Sequence, residues 1–381
     1  MKKIVLFLII IGVIFGVKAT FDVKVGMCLE PQAKSAYLMD DDTGTVVYAL
    51  NENKRLPIAS MTKIMLLDLV FESVESGKLS LDEDITVSKT ASGMGGSQVF
   101  LQADKSYKAN ELIKSVIVAS ANDASVALSE RLYGSESACV DVMNEKAKEW
   151  GLENTLFSNC TGLPKPTQYS CAKDVAKMLS ELISHEGYFT YSNIWLDELT
   201  HPDGQKTTLT NTNKLAKFYS GCDGGKTGYT ADAGFCLAAT AKRGSMRVVG
   251  VYIGGNNSKQ RFSDVSEMFD YAFDNYQKKI VLDKDRQPKE KIKVSCGKVD
   301  HVFIEPKESV FAFLKKTETS DFKVDFEYCD KLSAPVTKGD VIGKATVYKD
   351  GVEYKTVELV ASDTVEKRTY GDVIVKIGGS W

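Results

Sequence analysis

Residues 57–71 read PIASMTKIMLLDLVF and constrain this chain more than any other stretch. From Ile64 to Phe71 the run is almost wholly apolar. A helix that is hydrophobic all round belongs inside a domain, so other elements must enclose it. Its head, however, carries Ser60, Thr62 and Lys63, and lysine is among the residues least often fully buried. Positions i and i+3 share a helix face, so Ser60 and Lys63 meet. If Pro57 and Ile58 lead into the helix, Ser60 lies in its first turn. There the free N–H groups and the helix dipole favour developing negative charge.

The chain has 381 residues, a length that suggests two or three domains. Its 43% hydrophobic and 26% charged residues suit a globular protein. A formal charge of −3 offers no basic face for nucleic acid, so no nucleic-acid partner is expected. The chain opens MKKIVLFLIIIGVIFGVKAT. Two lysines, an apolar run shorter than the ~18 residues of a spanning helix, and Val17-Lys18-Ala19 read as an export signal over residues 1–19. Its loss would take the formal charge from −3 to about −6. Eight cysteines are irregularly spaced without a CxxC, which supports neither a zinc site nor a redox motif. Most read as small buried residues, and Cys28 lies too far past the apolar run to suggest lipid attachment.

SAYLMDDDTGTVVYALN carries two alternating runs around Asp42-Thr43-Gly44, a hairpin signal. Residues 109–134, 137–150 and 170–184 show helical spacing, the second closed by Gly151. TTLTNTN, GFCLAATAKR and MRVVGVYIGG read as strands, and 264–279 as a closing helix. Strands at both ends and helices between predict an α+β domain over residues 20–280 whose sheet gathers strands from distant parts of the chain. Residues 281–291, including the charged DKDRQPKEK, read as a linker. KIKVSCG, HVFIEP, FKVDFEYC, GKATVYKDGVEYKTVEL and DVIVKI predict a small all-β domain over 292–381, with a tight hairpin at Lys349-Asp350-Gly351.

Three histidines, His185, His201 and His301, form no HExxH, and no GxSxG elbow is present. Lysine is then the next base available to a serine. The S-x-x-K pattern alone decides nothing, because it recurs at Ser170, Ser295 and Ser320. Two groups without duplicates single out the first: SAN at Ser120–Asn122 and KTG at Lys226–Gly228. S-x-x-K, S-x-N and K-T-G in this order are the groups that active-site serine β-lactamases and penicillin-binding proteins bring together.

With GGSQVFLQ (95–102), NTLFSNCTGLP (154–164), RFSDVSEMFDYAFDNY (261–276) and APVTKGDVIGKATVYKDG (334–351), nearly the whole chain resembles the serine-type D-alanyl-D-alanine carboxypeptidases. These are low-molecular-weight penicillin-binding proteins. The resemblance implies a transpeptidase-like α+β domain, an antiparallel sheet with a helical cluster, followed by a small all-β domain. It implies Ser60 as the acylated nucleophile, Lys63 as its base, kept neutral by partial burial and by a nearby like charge from Lys226, and Ser120 as a proton relay to the leaving amine. Asn122 would hold a substrate amide. Lys226, Thr227 and Gly228 would form a strand edge for the peptide, the N–H groups of Ser60 and Tyr229 an oxyanion hole, and Arg261 a partner for the terminal carboxylate. The implied partners are a peptidoglycan stem peptide ending in D-Ala-D-Ala and β-lactams as covalent inhibitors, without metal or cofactor. The implied place is outside the cytoplasmic membrane or in the wall, with peripheral membrane or cell-wall association. Relatives often carry histidine where Leu156 stands, and many end in an amphipathic helix for which this sequence shows no counterpart. Two other readings differ in outcome. A class A-type β-lactamase would turn penicillin over rapidly, but SAN replaces SDN and no Glu-x-x-Leu-Asn lies between Ser120 and Lys226. A non-catalytic wall-binding protein would leave Ser60 unlabelled by penicillin.

Overall fold

The computed structural model describes residues 29–285, 290–369 and 371. The expected signal at 1–19, Cys28, residues 286–289 of the expected linker and the expected strand DVIVKI lie outside the described residues. The first hairpin forms as read: β1 (Ser35–Asp40) pairs antiparallel with β2 (Val46–Leu50). Three strands from much later in the chain complete the sheet: β3 (Cys222–Thr230), β4 (Gly234–Arg243) and β5 (Met246–Gly255). The order is β2-β1-β5-β4-β3, antiparallel throughout, so β3 lies at an edge.

The two-residue period of these strands divides two cores. Tyr37, Met39, Val249, Val251 and Ile253 face a helical cluster. It includes α1 (Lys63–Glu75), α2 (Ala109–Val118), α3 (Asn122–Tyr133), α4 (Glu136–Glu149) and α5 (Ala172–Leu182). Ala36, Leu38, Val248 and Tyr252 face the other way, against α6 (Ser258–Asn275). Every residue of α1 from Lys63 to Phe71 is buried, as its apolar composition requires.

Two helical readings need correction. The span 109–134 is not continuous: Ser120, at φ +61°, parts α2 from α3. The closing helix starts earlier than expected and stops at Asn275, after which Tyr276–Leu282 is a strand, β6. The expected domain end at 280 therefore falls inside β6. Beyond it come β7 (Glu290–Ser295), β8 (His301–Pro306), β9 (Val310–Lys315), β10 (Phe322–Tyr328), β11 (Lys331–Ser333), β12 (Val341–Lys349) and β13 (Val352–Ala361). Strand β6 pairs with β9, which the sequence reading passed over. The others form a six-stranded sheet, β10-β12-β13-β8-β7-β11, around a separate core that includes Ile304, Val347 and Leu359. The expected hairpin joins β12 to β13.

Five described cysteines, 139, 160, 171, 222 and 236, are buried free thiols, while Cys296 and Cys329 are exposed. No helix among the described residues is long and apolar enough to cross a membrane.

Candidate active site

The residues before α1 do not enter it as a simple first turn. Ala59–Thr62 is a 3-10 turn, and the α-helix begins at Lys63. In a 3-10 turn positions i and i+3 eclipse, which aligns Ser60 with Lys63 and puts Nζ 3.0 Å from Oγ. Ala59 is held at φ +49°, costly for a residue with a side chain. Two glycines from distant segments clasp the turn. A Cβ on Gly162 would stand 2.0 Å from the Ala59 carbonyl oxygen, and one on Gly228 would stand 2.6 Å from that of Ile58.

Lys63 is wholly buried with no carboxylate on its amine. Beyond Ser60 Oγ, Nζ reaches Asn122 Oδ1 at 2.7 Å and the Thr161 carbonyl. Burial pushes its pKa down to about 7, opposed by Cys160 and Asp123. Of the two expected causes, burial acts at Lys63, and the charge of Lys226 does not figure there. The repulsion registers at Lys226, pushed well below the ordinary lysine range by burial and then by Lys63 and Arg261. Such repulsion is reciprocal, so the two amines do not carry full charge together.

Lys226 donates to Ser120 Oγ at 2.7 Å and to the Thr227 carbonyl at 3.2 Å. It comes from edge strand β3, and Thr227 beside it is buried. The sequence pattern S-x-N is therefore split between two partners: Ser120 goes to Lys226 and Asn122 to Lys63. Asn122 Nδ2 is also engaged, donating to the Gly95 carbonyl at 2.7 Å, so a substrate amide reaching it must share these partners. Arg261 sends Nη1 to the carbonyls of Gly228 and Cys236, each at 3.1 Å. Its Nε is buried without a partner. Tyr229 projects from β3, 59% exposed, stacked on Phe235.

Several supports were not foreseen. Asp123 accepts from the backbone N–H groups of Val99 and Leu101, and the Asn122 N–H donates to the Ser97 carbonyl. Together they fix the 95–102 segment against α3. Asn159 Oδ1 accepts from the Gly162 N–H at 2.7 Å and holds the turn that aims Thr161 at Lys63. Only the SNCTG sequence, polar and ending in glycine, hints at such a turn. The ring nitrogens of His185 bind Asp68 and Glu75, and those of His201 bind Tyr107 and Thr207, so neither imidazole serves Ser60. Among the described residues no three His, Cys, Asp or Glu side chains gather as a metal site.

A serine aligned with a buried lysine, a second serine–lysine pair and an open strand edge are the parts expected from the three sequence groups. Comparison with known proteins agrees. The family described as D-alanyl-D-alanine carboxypeptidase matches residues 22–257, and the C-terminal domain of penicillin-binding protein 5 matches 276–367. The chain is 39% identical over 354 residues to the D-alanyl-D-alanine carboxypeptidase DacF of Bacillus subtilis, covering 93% of this chain and 91% of that one. Penicillin-binding protein 5 from Haemophilus influenzae superposes with a TM-score of 0.72 at 28% identity, covering 90% of this chain and all of that one. Penicillin-binding protein D2 from Listeria monocytogenes in the ampicillin-bound form superposes at 0.58 and 30% identity, covering 65% of this chain and 99% of that one. With its fold, its paired serines and lysines and this match over most of its length, the chain belongs to the D-alanyl-D-alanine carboxypeptidase family.

Proposed function

We propose that the chain removes the terminal D-alanine from peptidoglycan stem peptides through an acyl-enzyme on Ser60. The observation that carries this is the amine of Lys63, 3.0 Å from Ser60 Oγ and held near neutrality by burial. A neutral amine donates two hydrogen bonds and accepts one. Asn122 and Thr161 take the two donors, which leaves the lone pair for the Ser60 hydroxyl proton. Ser60 Oγ then attacks the carbonyl carbon of the penultimate D-alanine. The N–H groups of Ser60 and Tyr229 stabilise the oxyanion. Ser120, bonded to Lys226, passes a proton to the departing amine of D-alanine. The Lys63 ammonium returns its proton to Ser120 and is neutral again; it then takes a proton from water as the water oxygen attacks the ester carbonyl, and passes that proton to Ser60 Oγ as the ester bond breaks and the shortened peptide leaves as its carboxylate.

Edge strand β3 offers Lys226, Thr227 and Gly228 as a template along which the peptide lies as an added strand. Arg261, a buried cation with an unpaired Nε, supplies positive charge toward the terminal carboxylate. A β-lactam acylates the same Ser60, as the ampicillin-bound Listeria neighbour suggests. Peptidoglycan as the substrate supports a place outside the cytoplasmic membrane or in the wall, with peripheral membrane or cell-wall association.

Replacement Ser60→Ala is expected to abolish both release of D-alanine from a D-Ala-D-Ala peptide and labelling by fluorescent penicillin. Full D-alanine release by that variant would refute the assignment.

A further inference from the structure

Lys226 follows two glycines, Gly224 and Gly225, in a part of β3 that departs from regular pairing. The register with β4 slips between Cys222 and Gly224. Gly225 then stands at φ +140°, where a Cβ would lie 2.4 Å from the Ala238 carbonyl oxygen. Glycine accepts that backbone, and glycine is also the residue freest to leave it. Lys226 points one way only if a group outside the sheet fixes Gly225.

That group is the hydroxyl of Tyr188, at the end of the 3-10 turn Glu186–Tyr188. It accepts the Gly225 N–H at 2.9 Å and reaches the Gly225 carbonyl at 3.4 Å. The ring is buried, edge-on to Phe71 of α1 with centroids 6.2 Å apart. It finds room because Gly224 lacks a side chain: a Cβ there would stand 2.8 Å from Tyr188 Cε1. Burial holds the phenol well above its ordinary pKa, so it stays protonated. Other side chains hold the two residues before. Arg247 grips the Asp223 carboxylate at 2.7 and 2.8 Å, and Asn213 Nδ2 donates to the Gly224 carbonyl at 3.2 Å. Tyr188 serves the residue directly before Lys226.

We propose that Tyr188 is a positioning residue for the proton relay: by fixing Gly225 it aims Lys226 Nζ at Ser120 Oγ, and this alignment sets how well Ser120 protonates the leaving amine. The inference rests on the acyl-transfer reading, with Ser60 as nucleophile and Ser120 as relay. Lys226 Nζ, 2.7 Å from Ser120 Oγ, occupies one lone pair of that oxygen and leaves the hydroxyl proton turned away from it. That proton goes to the amide nitrogen as the C–N bond breaks, and the Lys63 ammonium replaces it on Ser120. A lysine displaced together with Gly225 no longer holds the hydroxyl in this orientation. Ser60 and Lys63 sit on a separate element, the turn that opens α1.

The test compares two substrates: a peptide ending in D-Ala-D-Ala, and its thioester analogue with sulfur in place of the terminal residue's amide nitrogen. The amide nitrogen must be protonated to leave, whereas sulfur departs as a thiolate and needs no acid. For both, kcat/KM reports acylation. The amide-to-thioester ratio within one variant cancels the folded fraction and any common change in binding. Tyr188→Phe should lower that ratio about tenfold, part of the ~10²–10⁴ that a placed acid supplies. Tyr252→Phe removes another buried hydroxyl, bonded to the Gln32 carbonyl on the other face of the sheet, and should keep the wild-type ratio. If Tyr188→Phe does not fold, Gly224→Ala, whose new methyl pushes the ring away, serves in its place. An unchanged ratio in the Tyr188 variant, or an equal fall in Tyr252→Phe, overturns the assignment. Ser120→Ala sets the scale. A fall there without one in Tyr188→Phe sinks the part given to Tyr188 alone, while no fall in Ser120→Ala removes the relay on which it rests.

Discussion

Lys63 has three neutral neighbours where a structural lysine would have a carboxylate. Its lowered pKa should appear directly in catalysis. Acylation of Ser60 by penicillin is expected to rise with pH through an inflection near 7 and then level, because only the neutral amine accepts the proton. Lys63→Met should lose that limb and slow acylation by about two to four orders of magnitude, read by stopped-flow labelling. The same shift carries the same sign for stability. Protonated Lys63 is penalised in the fold, so its contribution is least favourable below about 7 and improves as pH climbs toward the ordinary 10.5. Gly162 constrains the site from the other side. Gly162→Ala meets both φ +81° and a contact of 2.0 Å with Ala59, and should cost at least about 1–3 kcal/mol in urea unfolding and slow acylation by displacing the Ser60 turn.

The elements explain which parts could be read in advance. Strands β1, β4 and β5 were legible because both of their faces are buried and demand near-continuous runs of apolar or small residues, and α1 is apolar on every side for the same reason. The break between α2 and α3 left no such mark. SVIVASANDASV contains neither glycine nor proline, and its helical spacing continues across the gap. Tertiary partners make the break: Lys226 takes the Ser120 hydroxyl and Ser97 takes the Asn122 N–H. The roles of Thr161 and Gly95 were equally hidden, since a main-chain carbonyl has no signature in the sequence. Asp123 ties the 95–102 segment to this break, so Asp123→Ala should destabilise by about 1–3 kcal/mol in urea and lower kcat/KM through the loosened Gly95–Asn122 contact. Helix α1 is also pinned through His185, whose bond to Asp68, then that to Glu75, raises its pKa to about 9 against the effect of burial. A raised pKa contributes fully below 6.5 and is lost as pH rises through 9. Melting temperature should fall across that window, and His185→Gln should flatten the fall. The effect is on the order of 1–2 kcal/mol, limited because Glu75 faces solvent.

The whole molecule keeps its cores apart. Two lie on either face of the first sheet and a third inside the C-terminal strands, while Tyr276 stacked on Phe313 at 5.0 Å joins the regions. Calorimetry is expected to resolve two transitions, with penicillin raising only the one in which the Ser60 region unfolds. A single transition shifted as a unit would show instead that the β6–β9 pairing fuses them. The cradle of Lys63 is likewise a property of the whole: Ser60, Asn122 and Thr161 come together from three remote parts of the chain. Until that closure a solvated Lys63 keeps its full proton, near the ordinary lysine value. A half-made molecule is therefore dormant, unable to cut a peptide or be poisoned by an antibiotic, and it wakes only when its last segment falls into place.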